Sequence, residues 1–266
     1  MDLWQVLAGL VVGFAVGLTG VGGGAIMTPL LHLGFGIPLP TAVGTDLFYA
    51  ALTKAWGAGV HARNQVVNWW IVKRLAAGSI PSAVATVVVL RWLELAEKSL
   101  ATVISVTLSG ALVLTAVFLI SRDRLVTWVR QEERLDEFRR HFRASRPVLT
   151  VLGGVVLGVL VTLTSVGSGV LGTTLVLVIF PALPTVGVVG TELMHAVPLT
   201  FVAGLGHLSL GTVDGWLLLS LLVGSLPGVY AGGRLASRIS DRVLRPLLAT
   251  MLLVIGIRLI ILVVWG

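Results

Sequence analysis

Two stretches of this chain carry no formally charged residue: Leu3 to Thr45 and Pro147 to Thr191. Each is about twice the roughly 20 residues that an α-helix needs to cross a bilayer. Each must therefore fold back or cross more than once. Across all 266 residues only 12% are charged, against about 25% in an ordinary soluble domain. That excludes a water-soluble globular enzyme and also a disordered chain. Long unbroken apolar runs also exclude an outer-membrane barrel, which needs roughly ten-residue alternating strands. The expected fold class is an all-α polytopic membrane protein. Ser99 to Ile120 is a third uncharged run, of single-span length. Further spans are expected around 46–60, 68–90, 193–209, 215–233 and 246–265. The start, Met1-Asp2-Leu3-Trp4, has no basic region and reads as the first membrane segment rather than a cleaved signal. With no cysteine, disulfides and thiol chemistry are absent.

The charges cluster. Eight arginines and five acids lie between Arg122 and Arg146. Leu125, Trp128, Val129, Leu135, Phe138 and Phe142 recur there at helical spacing. The pattern suggests an amphipathic helix on the membrane surface, or a solvated helical connector. Interleaved acids argue against a nucleic-acid site, despite the net charge of +7.

The chain repeats itself. Leu18-Thr19 and Val21-Gly22-x-Gly24 recur as Leu163-Thr164 and Val166-Gly167-x-Gly169, an offset of 145. After one extra residue the offset is 146. Val43-Gly44-Thr45-Asp46 then matches Val189-Gly190-Thr191-Glu192. His61 matches His207, Asn68-x-Trp70 matches Asp214-x-Trp216, and Gly78-Ser79-x-Pro81 matches Gly224-Ser225-x-Pro227. Six such pairs in order indicate duplication. The division expected is a first repeat at 1–121, a charged cytoplasmic loop at 122–147 and a second repeat at 148–266. Duplicated halves with glycine-interrupted apolar segments are the mark of secondary transporters.

Charge placement favours inverted halves. In each, a broken or re-entrant first helix, at 3–35 and 148–182, is followed by three transmembrane helices. Fifteen basic residues, Arg63, Lys73, Arg74, the eight loop arginines and Arg234 to Arg245, then lie inside, against Arg91 and Lys98 outside. A parallel arrangement gives 11 against six. The expectation is a multi-pass inner-membrane protein with both termini outside.

Gly20-Val21-Gly22-Gly23-Gly24 and its mate Ser165-Val166-Gly167-Ser168-Gly169 should unwind the first helix of each half, since glycine costs about 1 kcal/mol against Ala in a helix. The helix restarting there offers free N–H groups and a positive dipole end. Two such ends meeting near the midplane would hold an anion. Gly22, Gly23, Gly24, Gly167, Ser168 and Gly169 are the candidates, with Thr45 and Thr191 nearby. Close helix packing is the alternative, and it suits Gly9, Gly13 and Gly17.

Asp46 and Glu192 sit at matched positions just inside the following spans. Each is a candidate proton carrier, because an intramembrane ionisable group is costly and usually functional or paired. The alternative is a helix N-terminal acid capped by Thr45 or Thr191. Lys54, two turns after Asp46, is a candidate charge partner or anion ligand; its mate is Thr200. His61, His195 and His207 are secondary candidates. Glu192-x-x-His195 lacks a third ligand, so neither metal nor cofactor is expected. Arg258 is read as structural. Pro29, Pro81, Pro198 and Pro227 are read as helix kinks. Val166-Gly167-Ser168-Gly169 is also close to the serine motif of rhomboid-type proteases, with His195 or His207 as base. The repeat mate of Ser168 is Gly23, which argues for a backbone role.

Gly17-Leu18-Thr19-Gly20-Val21-Gly22-Gly23-Gly24 with Pro29 resembles the opening of TauE/SafE permeases. So do Val43-Gly44-Thr45, the His61 to Trp70 stretch and Gly78-Ser79-Ile80-Pro81. The second half continues it with Gly190-Thr191, Gly206-His207, Val213-Asp214 and Gly224-Ser225-Leu226-Pro227-Gly228. The resemblance implies an inner-membrane permease for sulfur-containing anions such as sulfite or organosulfonates. Many relatives carry Ser where Asp46 and Glu192 stand. The partners expected are a small anion and the lipid bilayer, with a homodimer allowed for. A passive anion channel is the other transport reading.

Overall fold

The computed structural model describes residues 2–19, 23–63, 66–92, 97–131, 136–235 and 241–265. Ten α-helices and no strand are found among them. In chain order they are α1 (Leu3–Thr19), α2 (Gly24–Pro29), α3 (Leu39–Arg63), α4 (Trp69–Trp92), α5 (Glu97–Gln131), α6 (Asp136–Thr164), α7 (Val170–Ile179), α8 (Thr185–Ser209), α9 (Gly215–Leu235) and α10 (Asp241–Trp265). A π-helical turn, Leu30–Gly34, prolongs α2 past Pro29. At the repeat offset α1 to α5 correspond to α6 to α10, so the duplication is one of five elements. The first helix of each half is in two pieces: α1 ends at Thr19 and α2 starts at Gly24, with 20–22 outside the described residues, and α6 ends at Thr164 and α7 starts at Val170. The charged segment is carried by the ends of α5 and α6, with 132–135 outside the described residues.

Helix is the form that lets a single segment meet its own backbone hydrogen bonds in lipid. Hydroxyls follow suit. Thr53, Ser109, Thr115, Thr162 and Thr200 each donate to the carbonyl four residues back, at 2.6 to 2.9 Å. Five helical segments are long and apolar enough to cross a bilayer: Trp69–Trp92, Ser99–Arg122, Ser145–Thr164, Thr185–Ser209 and Gly215–Leu235. Leu3–Leu18, Gly24–Gly34, Val170–Ile179 and Pro246–Leu262 are shorter apolar helices. Val88, Ile120, Val156 and Val254 stand exposed on the flanks. Exposed Trp4, Trp92, Trp216 and Trp265 sit near helix ends, where interfacial aromatics belong.

Glycine sets the closest helix contacts. A Cβ at Gly9, Gly13 or Gly17 would run into the α9 backbone at Leu221, Ser225 or Val229. From the other side Gly224, Gly228 and Gly232 face the α1 backbone at Val6, Leu10 and Phe14. Contacts ascend together in both helices, so α1 and α9 run parallel. The matched pair behaves alike: Gly154 and Gly158 of α6 face Leu75 and Ser79 of α4. Without a hydrophobic drive between helices in lipid, such backbone approach is the main source of attraction.

Helices α3 and α8 cross at the centre and run antiparallel. Phe48 meets Phe201 edge-to-face at 6.0 Å, and Gly204 packs on the Phe48 ring. Early α3 meets the exit of α8 where the Asp214 amide donates to Thr45 Oγ1 at 3.0 Å. Early α8 meets the exit of α3 where the Asn68 amide donates to Thr191 Oγ1 at 2.9 Å. Asn68 and Asp214 then cap α4 and α9. Their Oδ1 atoms accept from the Ile71 and Leu217 amides. The matched Asn68-x-Trp70 and Asp214-x-Trp216 are thus a cap followed by an interfacial tryptophan.

Helices α3 and α8 start seven or eight residues earlier than spans placed at 46 and 193. Pro38 and Pro184 explain it, since a proline suits the entrance of a helix. Their carbonyls accept from the Ala42 and Val188 amides at 2.9 and 3.0 Å. Pro29, Pro81, Pro198 and Pro227 all lie inside helices.

Candidate functional site

The early starts move the acids inward. Asp46 and Glu192 lie two turns inside α3 and α8, at 0% and 1% exposure. They are not first-turn acids capped by their neighbours. Thr45 and Thr191 turn instead to the opposite half and hold its loop amides. Thr28 of α2 donates to Asp46 Oδ2 at 2.6 Å, while Asp46 Oδ1 has no partner. Glu192 Oε1 likewise has none. Gly172 leaves room for the Glu192 side chain: a Cβ there would stand 2.8 Å from its Oε1.

The second break is built from unusual backbone. Ser165 ends α6 at φ 58°, and Gly167 follows at φ 119°. The Thr164 hydroxyl accepts from the Val166 amide at 3.1 Å. The chain re-enters helix through the Gly172 amide on Gly167 O and the Thr173 amide on Gly169 O, at 2.9 and 2.8 Å. The first-turn N–H groups of α7 necessarily point back into the break.

Lys54 of α3 closes on this break. Its ammonium donates to both the carbonyl and the hydroxyl of Ser168. It is 4% exposed, and the Glu192 and Asp46 carboxylates both act on it through space. The first break touches the second. Gly24 packs so closely on Ser165 that a Cβ would strike the Ser165 carbonyl. Gly23 lies beneath the Tyr49 ring. Gly22 lies outside the described residues. Thus Gly23, Gly24, Gly167, Ser168, Gly169, Lys54 and the two acids gather around one junction. A cavity of about 10 Å³ opens there, lined by Ala25, Thr115 and Ser165 to Val170. That is room for about one water.

The histidines divide. His195, one turn after Glu192, shares a 2.8 Å hydrogen bond between its Nε2 and Ser79 Oγ; its Nδ1 is buried without a partner. His207 is tied to the Thr162 carbonyl and the Thr212 hydroxyl, both at 2.9 Å, and so bolts α8 to α6. The side chain of His61 lies outside the described residues. Ser168 is bonded by Lys54, and neither His195 nor His207 is bonded to it. Arg258 is exposed on α10.

Thr28, Tyr49, Ser79 and Ser165 belong to the junction and were not singled out from the sequence. A signal existed for two of them. Thr28 matches Thr174 at the repeat offset, and Tyr49 matches His195, each three residues past an acid.

Residues 5–259 match the family described as Sulfite exporter TauE/SafE. The chain is 39% identical over 260 residues to the "Probable membrane transporter protein YjnA" of Bacillus subtilis, covering 98% of this chain and 100% of that one. It is 28% identical to the "Probable membrane transporter protein YdhB" of the same organism, covering 90% and 92%. No solved structure matches. With a family match that takes in both breaks, both acids and Lys54, this chain belongs to the sulfite exporter TauE/SafE family of membrane transporters.

Proposed function

We propose that the protein is a secondary transporter of small sulfur-containing anions, such as sulfite or organosulfonates, across the inner membrane. The observation that carries this reading is Lys54. A buried ammonium laid across a broken helix, within reach of two carboxylates, is the charge an anion would meet. The first turn of α7 adds a positive dipole end beside it. Gly23, Gly24, Gly167, Ser168 and Gly169 bring backbone close to the ligand, while Thr45 and Thr191 hold the frame around it. The sulfur-containing class comes from the family description.

Coupling follows from competition for Lys54. An entering anion displaces Glu192 as the counter-charge, and Glu192 then takes a proton, because a lone carboxylate in hydrocarbon is costly. We take the halves as inverted. Support comes from the parallel α1–α9 and α4–α6 pairs and the antiparallel α3–α8 crossing. With successive long helices alternating in direction, these set α1 and α6 opposed. Alternating access would come from one half moving against the other. The charged 122–146 segment is cytoplasmic and both termini lie outside, as the positive-inside rule requires.

The test is flux of sulfite and of a small sulfonate into proteoliposomes, with and without an imposed pH gradient. Expected is uptake driven by the gradient and lost in Lys54→Met. No flux of either anion under any gradient would overturn the reading. Flux indifferent to pH and untouched by Glu192→Gln would mark a passive channel instead.

A further inference from the structure

His195 has a matched ring in the other half, and the pair shows where it stands. Tyr49 lies over the first break, where a Cβ on Gly23 would come within 2.9 Å of its ring. Its hydroxyl faces Ser225 of α9. At the repeat offset Tyr49 becomes His195, Gly23 becomes Ser168 and Ser225 becomes Ser79. The 2.8 Å bond between His195 Nε2 and Ser79 Oγ repeats the Ser225 contact. The repeat therefore sets the imidazole over Ser168, at the second break. Lys54, which bonds Ser168, also acts on the ring through space.

The two rings differ in what is left over. A phenol has one polar atom, and in Tyr49 it stands at Ser225. An imidazole has two. With Nε2 at Ser79, His195 keeps Nδ1, which is buried without a partner in a residue that is 1% exposed. Glu192 Oε1, one turn earlier on α8, has no partner either, so the carboxylate does not close on the ring.

The bond to Ser79 fixes what kind of group Nδ1 is. Among the described hydrogen bonds, the Ser79 hydroxyl makes only that to His195. It makes none to the carbonyl four residues back, as Thr53 and Ser109 do. Its proton therefore goes to Nε2. A ring nitrogen that accepts carries no proton, so the imidazole is neutral and its N–H is at Nδ1. The orphan is a donor. Buried donors without partners are rare, and this one stands beside the ammonium that an anion would meet.

We propose that His195 Nδ1–H is a second donor to the transported anion, taking one of its oxygens while Lys54 takes another. This rests on the transport reading above and refines its substrate. The pair selects anions with two or more oxygens on one centre, as in sulfite and sulfonates. A single-atom anion reaches Lys54 alone. Ser79 is a positioning residue that holds the ring in the donating tautomer. Tyr49 offers no such second group, so the anion belongs to the second break.

The experiment is calorimetric titration of purified full-length protein with sulfite, methanesulfonate and chloride. His195→Phe should raise the dissociation constants of sulfite and methanesulfonate about 10- to 100-fold, the loss of a hydrogen bond to a charged group. His195→Asn sets an amide N–H near the lost Nδ1–H and should hold both within about threefold. Chloride should bind all three proteins alike. Ser79→Ala keeps the ring and frees its tautomer, so its affinities should fall between those of the unsubstituted protein and His195→Phe. Nitrogen NMR of protein carrying isotope-labelled histidine, with His195→Asn to assign the signal, should find the His195 proton on Nδ1. A proton on Nε2 would overturn the proposal. So would full affinity in His195→Phe, His195→Asn as weak as His195→Phe, or chloride weakened as much as sulfite. If thermal unfolding shows that His195→Phe does not fold, the Asn and Ala variants and the spectrum decide. Full sulfite affinity without the imidazole removes this contact and leaves transport standing; no binding or flux of either oxyanion in the unsubstituted protein removes the transport reading itself.

Discussion

Asp46 and Glu192 occupy the same place in two copies of one helix, and their surroundings differ. Asp46 has a hydroxyl donor in Thr28, the Ser165 hydroxyl beside it, and Tyr49 one turn on. Glu192 has Lys54 acting on it, and His195 one turn on, bonded to Ser79. The mates of Lys54 and His195 are Thr200 and Tyr49, neither of which carries positive charge. Framework residues kept their symmetry: the glycine contacts of α1–α9 recur in α4–α6, and the Thr45 joint recurs at Thr191. Duplication here preserved the scaffold and let the chemistry diverge.

The largest expected effect breaks the asymmetry at its centre. Lys54→Met should abolish anion flux and destabilise the fold by about 3–5 kcal/mol, because it leaves a buried carboxylate without its counter-charge. Lys54→Met with Glu192→Gln should recover much of the stability and none of the flux. If the double variant is no more stable than the single, Lys54 is not the partner of Glu192. Next comes the contact between the breaks. Gly24→Leu drives a side chain into the Ser165 carbonyl, and should cost about 1–3 kcal/mol and most of the transport. Gly110→Leu, where a Cβ meets nothing within 4 Å, is the control and should transport normally. Smaller again is the difference between matched serines. Ser79→Ala breaks the bond to His195 and should cost about 1 kcal/mol. Ser225→Ala loses a 3.4 Å contact to the Leu222 carbonyl and the hydroxyl that stands beside the buried Tyr49, and should cost less than Ser79→Ala in thermal unfolding. Equal costs would mean the two halves are furnished alike after all.

Much of this scaffold was legible in the sequence. The offset of 145 or 146 matched helix to helix, and the Gly22–Gly24 and Gly167–Gly169 clusters marked both breaks. The unequal mates Lys54 and Thr200 already announced a lopsided site. Helix starts were harder. Leu39 to Thr45 is as uncharged as what precedes it, so hydropathy gives no border there, and only Pro38 and Pro184 mark one. The reach of Lys54 to Ser168, across 114 residues of sequence, depends on how α3 crosses α8. That crossing is set by packing at Phe48, Phe201 and Gly204, which no local pattern encodes. Thr28 was hidden for another reason. Membrane helices contain many hydroxyls that bond their own backbone, and nothing local distinguishes the one that bonds an acid.

The finest test lies where the halves should be alike. Thr45 Oγ1 takes the Asp214 amide at 3.0 Å, and Thr191 Oγ1 takes the Asn68 amide at 2.9 Å. Each joint fixes the entrance of a helix in one half to the crossing helix of the other. Valine is close to threonine in shape but offers no acceptor. Thr45→Val or Thr191→Val therefore leaves one loop amide unpaired and should cost about 1 kcal/mol. The two costs should agree, because distances, partners and flanking caps agree. They should also add in the double variant, since the joints share no partner. Thermal unfolding of the two single variants and the double measures all three quantities. A Thr45→Val cost several times that of Thr191→Val would show that the first joint also serves the neighbouring Asp46, and that the divergence of the two halves reaches into the scaffold itself.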